Sequence, residues 1–163
     1  MPSKTKIRRL YWDANCFIAL FNREATTAPQ HLAALESTYV EMTEGGIWIA
    51  TSDIFRAEVF SERMPEEALP LWDNLHGCPY FEIIPLRTPH YEQAGQLRLR
   101  CSQVGQSLRV ADALHVVMGS VARAEAVWTT DIALVNKSKN GLLGPIPVCF
   151  PRVDQPSLPF TSG

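Results

Sequence analysis

The sequence predicts an α/β fold, a three-layer doubly wound parallel sheet of five strands in the order 3-2-1-4-5 with helices on both faces. Three observations lead there. Five short apolar segments of strand length alternate with segments of helical period along the chain, which is the pattern of repeated strand–helix–strand units. Connections of that kind are right-handed, so two runs of winding produce an order in which the first and fourth strands are neighbours and the winding reverses between them. The stretch from Leu108 to Asp131 joins a strongly amphipathic helix to a short strand, and a helix preceding a parallel strand brings its N-terminus to the edge where that strand ends.

Taken in order, Ile7 to Trp12 reads as the first strand and ends at Asp13. Ala14 to Phe21 follows a polar turn and is too long for another paired strand, so it reads as a mostly buried helix. A second helix runs from Pro29 to Glu44, with proline in its first turn and Gly45-Gly46 as its stop. Ile47 to Ala50 forms the second strand. Thr51 or Ser52 then caps a helix from Asp53 to about Arg63, which carries Glu58. Pro65 opens a further helix towards Gly77, with Pro70 in its first turns or at a break. Phe81 to Leu86 is the third strand, and Thr88 caps a long helix from Pro89 to Val104 that Gly105 closes.

In the next helix, Val110, Ala113, Leu114, Val117, Met118 and Val121 share one face, while Asp112 and His115 project away from that stripe. Ala126 to Trp128 is the fourth strand, stopping at Thr129-Thr130-Asp131. A short helical turn near Ile132 to Asn136 and a last strand from Ile146 to Phe150 complete a domain spanning residues 1–150. Residues 151–163, with three prolines, read as an irregular C-terminal tail.

Bulk properties remove several function classes. The chain has 163 residues, 46% of them hydrophobic and 20% charged, enough for one core and far from disordered or fibrous compositions. Fifteen basic and seventeen acidic residues give a formal charge of −2, so no global basic field draws in nucleic acid and any such contact is local. Cys16, Cys78, Cys101 and Cys149 are scattered without zinc spacing, which suits reduced thiols and a cytoplasmic setting. The apolar part of the N-terminus is interrupted by Asp13 and Asn15, so no signal peptide is expected, and no run approaches the roughly 20 apolar residues of a membrane span.

The chemistry lies in four acids expected at one sheet edge. Asp13 and Asp131 follow the adjacent first and fourth strands, Asp112 arrives from the helix before the fourth strand, and Glu58 sits early in the helix leaving the second. Glu58 projects between Ile54 and Phe55, inside an apolar sector, where a carboxylate needs a partner; Arg8, Arg56 and Arg109 are candidates for an ion pair. Each acid alone has an ordinary structural reading, as a strand-end turn residue, a helix cap or an ion-pair partner. Together, four acids without a matching group of four bases imply a divalent cation. Oxygen ligands with no Cys or His among them suit Mg²⁺ or Mn²⁺ rather than Zn²⁺. One or two such ions activate water for in-line attack on a phosphodiester and neutralise charge on the phosphorus and leaving oxygen.

The segments YWDANCFIALF, FRAEVF, VADALHVVMGSV and WTTD resemble the successive acidic motifs of PIN-domain nucleases, including VapC-type toxins, and the resemblance extends from about Ile7 to Phe150. It implies a Mg²⁺- or Mn²⁺-dependent ribonuclease whose acidic site is Asp13, Glu58, Asp112 and Asp131, with supporting polar roles at Asn15 and at Thr129 or Thr130. His115, one turn after Asp112, either approaches that site or packs as a hydrogen-bonded histidine near it. Trp12, Trp48 and Trp128, at strand positions, are expected as core or lining residues rather than base-stacking platforms, and Arg56, Arg98, Arg100, Arg109, Lys137 and Lys139 are the candidate phosphate contacts. The partners to expect are an RNA substrate, an antitoxin protein covering the acidic cleft and a second copy of the chain. The competing reading keeps the acids in a nuclease-like domain that works as a binding scaffold. Carboxylates converging on one point favour the enzyme, whereas Arg or Lys side chains filling that point favour the scaffold.

Overall fold

Strand alternation divides the core of the computed structural model, which describes residues 7–23, 25–60 and 64–153, into two apolar layers. Five parallel strands, β1 (Arg8–Trp12), β2 (Ile47–Ser52), β3 (Phe81–Ile84), β4 (Val127–Trp128) and β5 (Val148–Cys149), form one sheet in the order β3-β2-β1-β4-β5. Leu10, Trp12, Ile47, Ile49 and Trp128 point to one face, where helices α1 (Ala14–Asn22), α2 (Pro29–Thr43), α3 (Ile54–Val59) and α4 (Leu69–Gly77) supply Phe17, Leu20, Leu35, Met42, Phe55 and Leu75. Tyr11, Ala50, Val127 and Val148 point to the other, covered by α5 (Thr88–Gln103), α6 (Val110–Val121) and α7 (Ile132–Lys139). Side chains on alternate sides of a strand with period two are the reason both faces are apolar, as a buried parallel sheet requires.

The doubly wound sheet and its strand order are as the sequence predicts, and the differences are local. The second strand continues through Thr51 and Ser52 because both pair with β3, so neither caps α3; Asp53 takes the N-cap position without a side-chain bond to the helix. The Thr51 hydroxyl instead donates to the Trp12 carbonyl (2.9 Å). The Arg63 end predicted for α3 lies outside the described residues, as does the tail from residue 154 onward. Before α4, Glu66–Ala68 is a 3₁₀ turn, and Pro70 sits in the first turn of α4, where its missing N–H costs no hydrogen bond. Arg87, not Thr88, is the N-cap of α5.

The largest correction concerns α6. Asp112 and His115, expected to project away from the apolar stripe, are buried at 6% and 1% exposure, whereas Val110 and Val121 at the ends of that stripe are 50% and 40% exposed. Every residue from Asp112 to Gly119 is buried, because α6 is held between the sheet and α5. The close approach depends on Gly119, where a Cβ would overlap the Val127 side chain on β4. That contact lets the C-terminal part of α6 lie close against β4.

Candidate functional site

β1 and β4 are hydrogen-bonded in register, Trp12 opposite Trp128, and the Asp13 amide donates to the Trp128 carbonyl (3.1 Å). The residues after those strands, Asp13 and Thr129, are therefore neighbours at the point where the winding reverses. Asp13 adopts an extended backbone and caps α1, its carboxylate accepting the Cys16 N–H (3.2 Å). It is 1% exposed. Burial lifts its carboxyl from 3.8 to about 6, with Glu58 adding to the rise, against the opposing pull of His115, the Thr129 hydroxyl and the Cys16 amide.

Glu58 approaches from α3 and is 29% exposed at its side chain, so it is not enclosed in the apolar sector its helical projection suggested. His115 bonds it directly, Nε2–H donating to the Glu58 carboxylate at 2.6 Å, and the charge of Arg109, one of the arginines named from the sequence, also acts on it. Nδ1 of the same ring meets the Tyr11 hydroxyl at 2.8 Å, and that hydroxyl also bonds the Ser52 side chain (2.9 Å) and accepts the Ser52 amide (3.1 Å). A chain of polar groups thus runs from the end of β2 through β1 and α6 to Glu58. Burial raises the Tyr11 hydroxyl further above its ordinary value, keeping it a neutral link in that chain.

Asp112 and Asp131 are joined by a cation. The Arg109 guanidinium grips Asp112 through Nε and Nη2 at 2.8 and 3.0 Å, and Nη2 lies 3.7 Å from Asp131. The fork geometry is favourable for a carboxylate. Hydrogen bonding to Asp112 and the charges of Asp112, Asp131 and Glu58 hold Arg109 further towards its protonated form. Asp131 also caps α7, accepting the Ala133 N–H at 2.9 Å, and its own amide donates to the Thr129 hydroxyl at 3.1 Å.

Of the supporting residues, Thr129 is fully buried between Asp13 and Asp131, Asn15 is half-buried in the first turn of α1, and Thr130 turns aside. Thr130 lines a neighbouring cleft of about 260 Å³, where His31 stacks on Phe150 at 4.6 Å. Arg98 is committed to the Leu108 carbonyl (2.8 Å) and so braces the loop before α6. Trp12 and Trp128 are core residues stacked at 6.1 Å, while Trp48 is half-buried beneath Arg9. Tyr11 and Ser52 were not found from the sequence. Their signal was weak: a tyrosine and a serine in adjacent strands, each an ordinary strand residue.

The oxygen-rich donor set suits a hard divalent ion. In the present side-chain arrangement, however, no three His, Cys, Asp or Glu residues among the described residues are disposed to hold one ion together. The acids are held instead by Arg109 and His115. The donors fit a divalent metal in type, provided that Arg109 is released from them.

Comparison with known proteins bears on the fold and family. The family model described as the PIN domain matches residues 10–140. No curated protein sequence matches significantly. Among solved structures, VapBC2 from Rickettsia felis bound to a promoter DNA fragment is similar with a TM-score of 0.61 and 18% identity, covering 86% of this chain and 96% of that one. FitAcB from Neisseria gonorrhoeae is similar with a TM-score of 0.58 and 18% identity over 87% of this chain and 97% of that one. DNA-bound VapBC from Salmonella typhimurium gives 0.55 and 17% over 86% and 96%.

Proposed function

The chain belongs to the PIN domain family, a family of nucleases, and from that premise we propose that it is a Mg²⁺- or Mn²⁺-dependent endoribonuclease acting at Asp13, Glu58, Asp112 and Asp131. The observation that supports this reading best is the adjacency of Asp13 and Thr129 at the ends of neighbouring parallel strands, with Asp131 two residues on and Asp13 buried yet carboxylic. A buried carboxylate with a raised pKa is poorly solvated, and a divalent ion would satisfy it more fully than water does. When bound, the ion supplies an activated water and neutralises charge on the phosphodiester.

The chain's own residues do the positioning. Thr129 and the Cys16 amide orient Asp13; Tyr11 and His115 orient Glu58; the α7 cap orients Asp131. The cleft beside Asp131, walled by Thr130, Ile132, His31 and Phe150, is large enough for a nucleobase next to the reacting phosphate. The similar structures include complexes named VapBC and FitAB, which supports a toxin role with an antitoxin partner; that the antitoxin covers this edge, and that a second copy of the chain is a further partner, are parts of the same proposal.

The test is cleavage of single-stranded or structured RNA by purified protein in Mg²⁺ or Mn²⁺. We expect cleavage to stop with chelator and to be abolished by Asp13→Asn or Asp112→Asn in folded protein. Equal cleavage by wild type and both variants would point to a contaminant and refute the assignment. One observation favours a second reading, a scaffold that retains the acids: Arg109 already bridges Asp112 and Asp131. RNA binding without cleavage, unaffected by chelator, would select it.

A further inference from the structure

We infer that Arg109 is a displaceable internal counter-cation, which holds Asp112 and Asp131 until a divalent ion takes their oxygens and then turns its guanidinium to the RNA phosphate. The inference rests on the metal-dependent reading above and concerns how that site is loaded. Its basis is geometric. Arg109 occupies both oxygens of Asp112, through Nε at 2.8 Å and Nη2 at 3.0 Å, and the same Nη2 lies 3.7 Å from Asp131. A carboxylate oxygen gripped by the fork has its best lone-pair direction filled, so an ion binding Asp112 and Asp131 together competes with Arg109 for the same atoms.

The two partners differ in freedom. Asp112 is 9% exposed at its side chain and sits on a helix buried from Asp112 to Gly119, whereas the Arg109 side chain is 69% exposed and begins just outside α6. The exposed arginine is the freer of the two to change its side-chain conformation. A long side chain swinging about its own Cα remains at the same sheet edge, beside the acids and within reach of a polyanion bound there. The mutual repulsion of the acids is thus compensated in the metal-free protein, and the positive charge is handed to the substrate once metal replaces it.

This gives opposite signs for two measurements on one residue, which a merely structural role would not produce. Mn²⁺ affinity is measured calorimetrically without RNA for wild type, Arg109→Gln and Arg109→Lys. Affinity for a mixed-sequence single-stranded RNA oligonucleotide is measured separately with Ca²⁺ in place of Mg²⁺. Arg109→Gln should bind Mn²⁺ roughly fivefold more tightly, the scale of a two-carboxylate surface ion pair, and bind RNA severalfold more weakly. Arg109→Lys keeps the charge but loses the two-pronged grip, so its Mn²⁺ affinity should also exceed wild type while RNA binding is largely retained.

Wild type binding Mn²⁺ with Arg109→Gln no tighter would overturn the inference and leave the metal-dependent reading standing. Arg109→Lys matching wild type in Mn²⁺ affinity would also overturn it, because overall charge rather than occupation of the oxygens would then govern metal binding. Mn²⁺ binding by none of the three proteins would overturn both.

Discussion

Replacing Asp13 with asparagine isolates the electrostatic stress at this sheet edge. In the metal-free wild type the carboxyl titrates at about 6 rather than 3.8, chiefly because it is buried. Between those two values the folded chain keeps a proton that the unfolded chain has released, so stability falls as pH rises through the window and is fully present below it. The interval corresponds to about 3 kcal/mol at 1.36 kcal/mol per pH unit. At 1% exposure little solvent screening reduces that figure. Asparagine does not titrate and retains an oxygen for the Cys16 amide, but its buried NH₂ lacks an assured acceptor, which costs about 1–2 kcal/mol at every pH. The expectation is that Asp13→Asn in chelator is no more stable than wild type near pH 4 and about 1–2 kcal/mol more stable near pH 8. The stability difference between the two proteins should therefore change by about 3 kcal/mol across the range, or about 6–12 °C in Tm for a chain of this size. Urea and thermal denaturation of both proteins at several pH values measure this. A difference that stays constant from pH 4 to 8 would refute the argument that burial of the Asp13 charge destabilises the fold, whatever the activity of the variant.

Glu58→Gln should lower stability in chelator by under about 1 kcal/mol, because a partly exposed charged contact to His115 becomes a neutral one; an increase in Tm would mean that repulsion among the acids outweighs the His115 contact. Tyr11→Phe removes the hydroxyl that meets both Ser52 and Nδ1 of His115, and should cost about 1–3 kcal/mol. If the chain orients Glu58, it should also lower kcat with little change in KM, and an unchanged kcat would confine Tyr11 to a structural role. Gly119→Ala places a methyl group into Val127 and should destabilise by about 1–3 kcal/mol; an unchanged urea midpoint would show that α6 can withdraw from β4 without loss. Phe150→Ala or His31→Ala opens the stacked pair beside Asp131 and should raise KM for RNA with little effect on stability, as measured on oligonucleotides; an unchanged KM would remove that cleft from the substrate path.

What was legible in the sequence is what depends on backbone periodicity. Five strands, the alternation with helices and the reversal between β1 and β4 follow from apolar spacing and the handedness of crossovers, and they determine that residues after those two strands meet. Less legible was the direction of side chains on α6. An amphipathic projection assumes one buried face, whereas a helix held between a sheet and another helix buries nearly all of its middle, polar residues included. That is why Asp112 and His115 were expected to point away from the apolar stripe and are found buried.

The pairing of charges is harder still, because it depends on which long side chain reaches which carboxylate across turns that sequence does not locate to within a few ångströms. Arg109 was visible as a basic residue three positions before Asp112, a spacing that permits an ion pair on a helix. Nothing in that spacing indicated that its guanidinium would also approach Asp131 at 3.7 Å, since that contact exists only because β4 ends beside the N-terminal turn of α6. The same topology that assembles the acids therefore supplies one of the cations that holds them, and the pH-dependent stress is left on Asp13, whose direct bonds come from a hydroxyl and an amide rather than from a charged group.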